Sequence, residues 1–583
     1  MKKSLLIFVL LLLITAVSFP QLKKEEAAKF IRADDLKTYI SFLASDKLKG
    51  RFAGTPENAI AAEYIAKRFS ELGLKPFIEP RVPAKKKEAE EELKFEVSDE
   101  PPVPSPAEKY YQKFFLLKTQ FDSVNTWLKV KSSFGSSTVE TGFFLKKDFF
   151  ISGKIDQNLS LNSKVVFLGF GIEKGEDGYS DYLTKEGKEI DIKDKVVLIV
   201  DSYPEEENPE GTYAKSRNVM YKNLRKKSEL AFEKGALAVI AVASPIGNNP
   251  PFIVKNESMM HTFSKPNYSL PELGSEAAHP VIHIGNEVTN ELFRTSGTTL
   301  KEIIRKINKE KKGNALELPG CEFNIKINML IKSVPVVNVV GIIEGSDPVL
   351  KDEYVVVGAH FDHIGMGETG VMSKDNIGQI HNGADDNASG TAGVMEVAEA
   401  MSKVKPKRSV VFIAFNAEEL GMMGSRYYAY QFPWRPVDKA VGMVNMDMIG
   451  RNESELLWIG GIFYSSDMKE VVENANKQAG TGFELLYNVG LLTFASDQGP
   501  FIRREVPAVF FFAGMHDDYH MPSDDVQKIN FKKVERVAKL AFETANHIAN
   551  TSDLPEFRPL GMDEKTVLVR ESLEKQKRIR PKK

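Results

Sequence analysis

The chain has 583 residues, 42% of them hydrophobic and 27% charged, with a formal net charge of -2. That length exceeds what one ordinary core can fill, so at least two folded units are expected. The near-neutral balance offers no excess of positive charge to a polyanion, which argues against nucleic acid as a partner. A single cysteine, Cys321, rules out any internal disulfide.

Lys2 and Lys3 precede an apolar run from Leu5 to about Val17, then small residues Ala16 and Ser18 spaced as at a signal-peptidase site. Residues 1–18 therefore read as a cleaved signal peptide, giving a secreted or periplasmic protein. The run is short of the ~20 residues that a spanning helix needs, so no stable membrane insertion is expected after cleavage.

Residues 23–110 are expected to contribute N-terminal helices and a charged linker. Lys23–Ser45 and Pro56–Leu74 carry apolar residues at helical spacing, whereas Pro80–Pro106 is rich in Lys, Glu and Pro. Residues 115–314 have a different texture, with short strand-like runs at Lys164–Gly169 and Lys195–Val200 and a helix-like Ser228–Gly235 leading into Ala236–Ala243. They read as a separate domain of mixed strand and helix.

From 322 to 550 the strand candidates Tyr354–Ala359, Ser409–Phe415, Ala440–Met446 and Val506–Phe512 alternate with helical stretches such as Ala388–Lys403. That alternation predicts an α/β fold, a largely parallel sheet covered by helices on both faces. Residues 551–583 end in KQKRIRPKK and read as a solvated, partly disordered basic tail.

Five segments with metal-binding residue types fall just beyond the predicted strands or before a helix: GAHFDH, GADDNASG, NAEELG, NMDMIG and DDYHMPSDD. Ligands of open α/β sheets bind past the carboxyl ends of the strands, so these segments could converge on one cleft. Zinc takes imidazole and carboxylate ligands, and two metals about 3.5 to 4 Å apart need a bridging carboxylate. One His and one carboxylate per metal plus a bridge makes five ligands, and His360, Asp385, Glu419, Asp447 and His520 supply them.

Those segments, read as GAHFDHIG, NGADDNASGTAG, FNAEELGMMGS, NMDMIGR and DYHMPSDD, resemble in order and approximate spacing the signatures of the zinc aminopeptidase family. That family also contains glutamate carboxypeptidase and the transferrin receptor. The stretch LASDKLKGRFAGTPENAIAAEYIAKRFSELGLKP resembles the family's leading helices, and the 115–314 region is similar to a protease-associated domain inserted into the peptidase sequence. The resemblance implies a two-zinc aminopeptidase acting on peptides. Asp385 would bridge the metals, His360 and Asp447 would complete one, and Glu419 and His520 the other. Glu418 matches the general base, and Asp362 an acid that orients the His360 imidazole.

Tyr519, beside a ligand, could donate to an oxyanion or simply anchor its loop. His363 and His381 match no ligand position. Ser496 and Asp497 resemble a segment near the substrate, although a turn explains them equally. Two other activities fit the scaffold: carboxypeptidase action on acidic dipeptides, with Arg426, Arg451, Arg503 and Arg504 as possible carboxylate partners, and N-terminal glutamine cyclisation, which needs only one metal. A receptor-like binding protein that had lost its metals is the rival from another class.

Overall fold

The computed structural model describes residues 22–77, 106–153, 155, 157–246, 252–271, 279–431 and 433–579. The expected signal peptide and most of the charged linker lie outside these residues. The chain forms two compact units, one made of residues up to Phe114 together with Pro335 onward, the other of Phe115–Val334. No helix among the described residues is long and apolar enough to cross a membrane.

In the first unit, helices α1 (Ala33–Leu43) and α2 (Pro56–Glu71) lead in, with Thr55 capping α2 through the Asn58 N–H. The later elements are β1 (Met329–Ile343), β2 (Tyr354–His360), α3 (Gly390–Ser402), β3 (Ser409–Phe415), α4 (Met423–Tyr430), β4 (Ala440–Met446), β5 (Leu456–Gly460), α5 (Asp467–Gln478), β6 (Glu484–Leu486), α6 (Gln498–Ile502), β7 (Ala508–Phe512), α7 (Phe531–Asn550) and α8 (Met562–Ile579). The strands lie in the order β6-β5-β7-β4-β2-β3-β1. Strand β2 runs parallel to β3 and to β4, β4 runs parallel to β7 and β5 to β6, while β1 meets β3 and β5 meets β7 antiparallel.

Why the sheet is covered twice follows from its sequence. Val355, Val357, Val410 and Phe412 face one core, where they meet α2, α3 and α7; Tyr354, Val356, Val411 and Ile413 face the other, with α4 and α6. Successive strand side chains point to opposite faces, so only near-continuous apolar runs can fill both layers. Because β2, β3, β4 and β7 are parallel, their carboxyl ends lie along one edge of the sheet.

The second unit has its own sheet. Its central strands Leu159–Phe167, Val196–Val200, Ala238–Val242 and Val281–Ile284 are parallel neighbours. The expected boundary at 314 falls short. Leu316–Ile327 pairs with Trp127–Phe134 and Leu159–Phe167, so it belongs to this sheet and carries the unit on to Val334.

The tail is also more ordered than its charge suggests. Residues 562–579 form α8, whose Ser572 is buried and accepts a hydrogen bond from the Tyr487 N–H at 2.8 Å, while Lys575 Nζ donates to the Leu485 carbonyl. The helix thereby lies along β6, the last strand of the sheet, where backbone groups would otherwise be unpaired. Composition hid this because the few apolar residues that make the contact sit among many charges.

Glu396 on α3 is fully buried and accepts from the Arg32 N–H at 2.7 Å. Burial, then the charges of Asp35 and Glu399, push its carboxyl up to about 8 against the pull of that N–H. An acid raised this way is held protonated by the folded state. Its stabilisation is therefore complete below the unfolded value of about 4.3 and is lost as pH rises through about 8. Glu396→Gln, which mimics the protonated acid, is expected to match wild type near pH 5. At pH 9 it should be more stable by roughly 2 to 4 kcal/mol, an order-of-magnitude figure after allowing for an imperfectly paired amide. Denaturant unfolding of both proteins at the two pH values measures this, and an equal difference at both would refute it.

Candidate metal centre

Each strand of the parallel set ends on a residue of the site or leads to one through the turn or loop that follows it. His360 closes β2, the turn after β3 carries Glu418 and Glu419, Asp447 follows β4, and the loop after β7 leads to His520. The fifth segment precedes α3. There the backbone leaves helical geometry at Asp386 and Asn387, with φ/ψ of −102°/95° and −131°/44°. Two consecutive aspartates consequently end in different surroundings.

Asp386, not Asp385, faces the histidines. Its Oδ1 lies 3.4 Å from His360 Nε2, and its Oδ2 lies 3.2 Å from His520 Nε2. Asp447 Oδ1 is 3.4 Å from His360 Nε2, and Glu419 Oε2 is 3.1 Å from His520 Nε2. The potential ligand atoms fall into two groups that share Asp386: His360, Asp386 and Asp447 in one, and His363, Asp386, Glu419 and His520 in the other. Asp385 belongs to neither. Its Oδ1 accepts the Gly450 N–H at 2.6 Å and its Oδ2 lies 3.3 Å from His516 Nε2, so the carboxylate shared by the two groups is Asp386, one residue beyond the one expected to bridge.

The imidazoles are oriented from behind. His360 Nδ1 donates to the Asp362 carbonyl at 3.2 Å and His520 Nδ1 to the Gly370 carbonyl at 2.7 Å, which turns each Nε2 toward the carboxylates. Asp362 acts differently from expectation. Its carboxylate is 3.8 Å from His360 Nδ1 but accepts the backbone N–H of Glu418 at 3.1 Å and of Glu419 at 3.4 Å, so it chiefly holds the turn that carries both glutamates. His363 Nδ1 donates to Glu419 Oε1 at 2.8 Å, leaving Oε2 toward His520.

Electrostatics match this crowding. Burial alone would lower His520 and raise Glu419, yet their mutual attraction wins: His520 is pushed up to about 11, and Glu419 is held down at about 2 by His520 and His363. Asp386 is held well below the usual carboxylate range, burial notwithstanding, by the three histidines. Glu418 is driven the other way, first by burial and then by the negative charges of Glu419, Asp497 and Asp447.

The donor set fits divalent cations. His520 Nε2 and Asp447 Oδ1 are buried without hydrogen-bond partners, although Glu419 Oε2 lies 3.1 Å from the first and His360 Nε2 3.4 Å from the second. Acceptors turned toward acceptors at such distances repel unless a proton or a cation lies between them.

Three residues outside the expected set hold this arrangement. Asp524 accepts the N–H groups of Asp385 and Asp386, and Asn387 ties the same turn to the Met446 carbonyl at the end of β4. Arg51 is fully buried and donates to the carbonyls of Leu43, Phe361, Asn382 and Gly383. Its signal in the sequence is the arginine that follows Gly50 in LKGRFAG, and that of Asp524 is the acid pair that closes DYHMPSDD. His381, with Nδ1 at 2.9 Å from the Gln379 carbonyl, braces a loop, and Tyr519 lies flat against His520 with ring centroids 3.8 Å apart. Ser496 Oγ accepts from Asn445 beside β4, and Asp497 is buried.

Residues 338–545 match the sequence profile of Peptidase family M28. The chain is 25% identical over 212 residues to Aminopeptidase YwaD of Bacillus subtilis (strain 168), covering 35% of this chain and 42% of that protein. It is 30% identical over 186 residues to Leucine aminopeptidase 2 of Trichophyton equinum, covering 30% and 33% respectively, so it matches less than half the length of either. Among solved structures, the aminopeptidase from Aneurinibacillus sp. strain AM-1 aligns over 92% of this chain and 99% of its own, at 18% identity and a TM-score of 0.47. The stretch that matches this family profile, residues 338–545, contains every residue of the two ligand groups.

Proposed function

We propose that this protein is a two-zinc aminopeptidase that releases N-terminal residues from peptides. One observation carries the reading: the two oxygens of Asp386 face two separate imidazole–carboxylate pairs, as a bridge between two ions requires. His360 and Asp447 would complete one ion, and Glu419 and His520 the other, with His363 steadying Glu419 by its hydrogen bond. The family match and the aminopeptidase names of the relatives support the same class.

Bound zinc would supply Lewis acidity to a peptide carbonyl and to a water molecule. Glu418 takes the proton of the attacking water and returns it to the leaving amine. Burial and the surrounding negative charge make its carboxylate a stronger proton acceptor than an exposed one. Tyr519 keeps its phenolic proton, since burial and the neighbouring acids push it upward, and is available to donate to the developing oxyanion.

Carboxypeptidase action would need free cations for a substrate carboxylate, and three of the arginines considered for that role already have contacts. Arg451 pairs with Asp518 at 2.7 Å, while Arg503 and Arg504 lie over the rings of Phe494 and Tyr430. A panel of N-terminally free, N-acetylated and C-terminally amidated peptides tests the direction. Hydrolysis is expected with a free amine regardless of amidation, and to be lost on acetylation. Cleavage that survives acetylation but not amidation would overturn the reading.

A further inference from the structure

The two ligand groups are braced by different parts of the chain. His360 Nδ1 is held by the Asp362 carbonyl within its own turn, whereas His520 Nδ1 is held by the carbonyl of Gly370, 150 residues away in sequence. Gly370 sits in the loop 365–380. That loop is closed by hydrogen bonds from the Gly378 N–H to the Met366 carbonyl and from the His381 N–H to the Gly365 carbonyl. The Gly365 N–H also bonds the Gly50 carbonyl, and Asn376 reaches Met521, next to His520, at 3.2 Å. Resting on the two-zinc reading, we infer that this loop is a positioning element for one ion alone: Gly370 aims His520, so the loop sets affinity in the Asp386–Glu419–His520 group and leaves the His360–Asp386–Asp447 group untouched.

Two features restrict position 370 to glycine. Its φ is +62°, a left-handed value that side chains adopt at a cost. A Cβ there would also stand 2.9 Å from His520 Nδ1 and 3.0 Å from its Cε1, pressing on the imidazole itself. Gly378 in the same loop separates the two effects, because its φ is +86° but a Cβ would meet nothing within 4 Å. Both positions are exposed, so neither substitution disturbs a core.

The experiment is zinc titration of metal-free full-length protein by calorimetry, for wild type, Gly370→Ala and Gly378→Ala, with circular dichroism to confirm the fold. Wild type is expected to bind two equivalents. Gly370→Ala should keep one at wild-type affinity and bind the other about 10- to 100-fold more weakly, the usual consequence of disturbing a ligand's supporting contact. Gly378→Ala should match wild type at both. Equal titrations for Gly370→Ala and wild type would overturn the inference. So would equal weakening in the two variants, which would assign the effect to loop strain, or weakening of both ions by Gly370→Ala. A wild-type protein that binds fewer than two equivalents would instead refute the two-zinc reading beneath it.

Discussion

Glu418→Gln is expected to lower turnover by about 10² to 10⁴ while both zinc ions stay bound, the loss typical of removing a general base. Glu418 lies in neither ligand group, although its neighbour Glu419 does. Its main chain is fixed by the Asp362 carboxylate and by the N–H groups of Gly421 and Met422, both 2.7 Å from its carbonyl. The glutamine side chain has the same size and keeps this turn, but it cannot accept the proton. Metal analysis beside steady-state kinetics separates the outcomes. Turnover near wild type would remove Glu418 from the chemistry, and loss of zinc along with turnover would make it a ligand.

The second large effect discriminates between adjacent aspartates. Asp386→Ala removes an oxygen from each group at once and is expected to abolish tight binding of both ions, with activity falling by at least ~10³-fold. Asp385→Asn keeps an oxygen able to accept the Gly450 N–H and should stay within about tenfold of wild type, since only a supporting contact is altered. Zinc content and kcat/KM of the two variants, measured side by side, decide the matter. The reverse ranking would return the bridge to Asp385.

The strands were the most readable part of the fold. Ser409–Phe415 and Ala440–Met446 form with the bounds their apolar runs predict, and Tyr354–Ala359 gains only His360. Runs buried on both faces need apolar residues at every position, which makes them conspicuous in a sequence. Less visible was Leu316–Ile327, whose mixed composition conceals its place in the second sheet, and α8, whose contacts rest on a few residues such as Ser572. Both depend on partners distant in the chain.

The sequence by itself determined the class of fold and the kinds of ligand, because residue type and strand-end placement are local properties. His360, Glu419, Asp447 and His520 could be picked out that way, and the structure brings all four together in its two groups. Only the tertiary structure decided which of two neighbouring aspartates is shared between the groups. Asp385 and Asp386 are chemically identical, and what separates them is a departure from helical backbone geometry, held by Asp524 and Asn387, that turns one toward Gly450 and the other toward the histidines. The same holds for Asp362, whose carboxylate serves the Glu418–Glu419 turn, and for Arg51, whose role rests on carbonyls more than 300 residues away. Such roles are properties of direction and distance, and these exist only once the chain has folded.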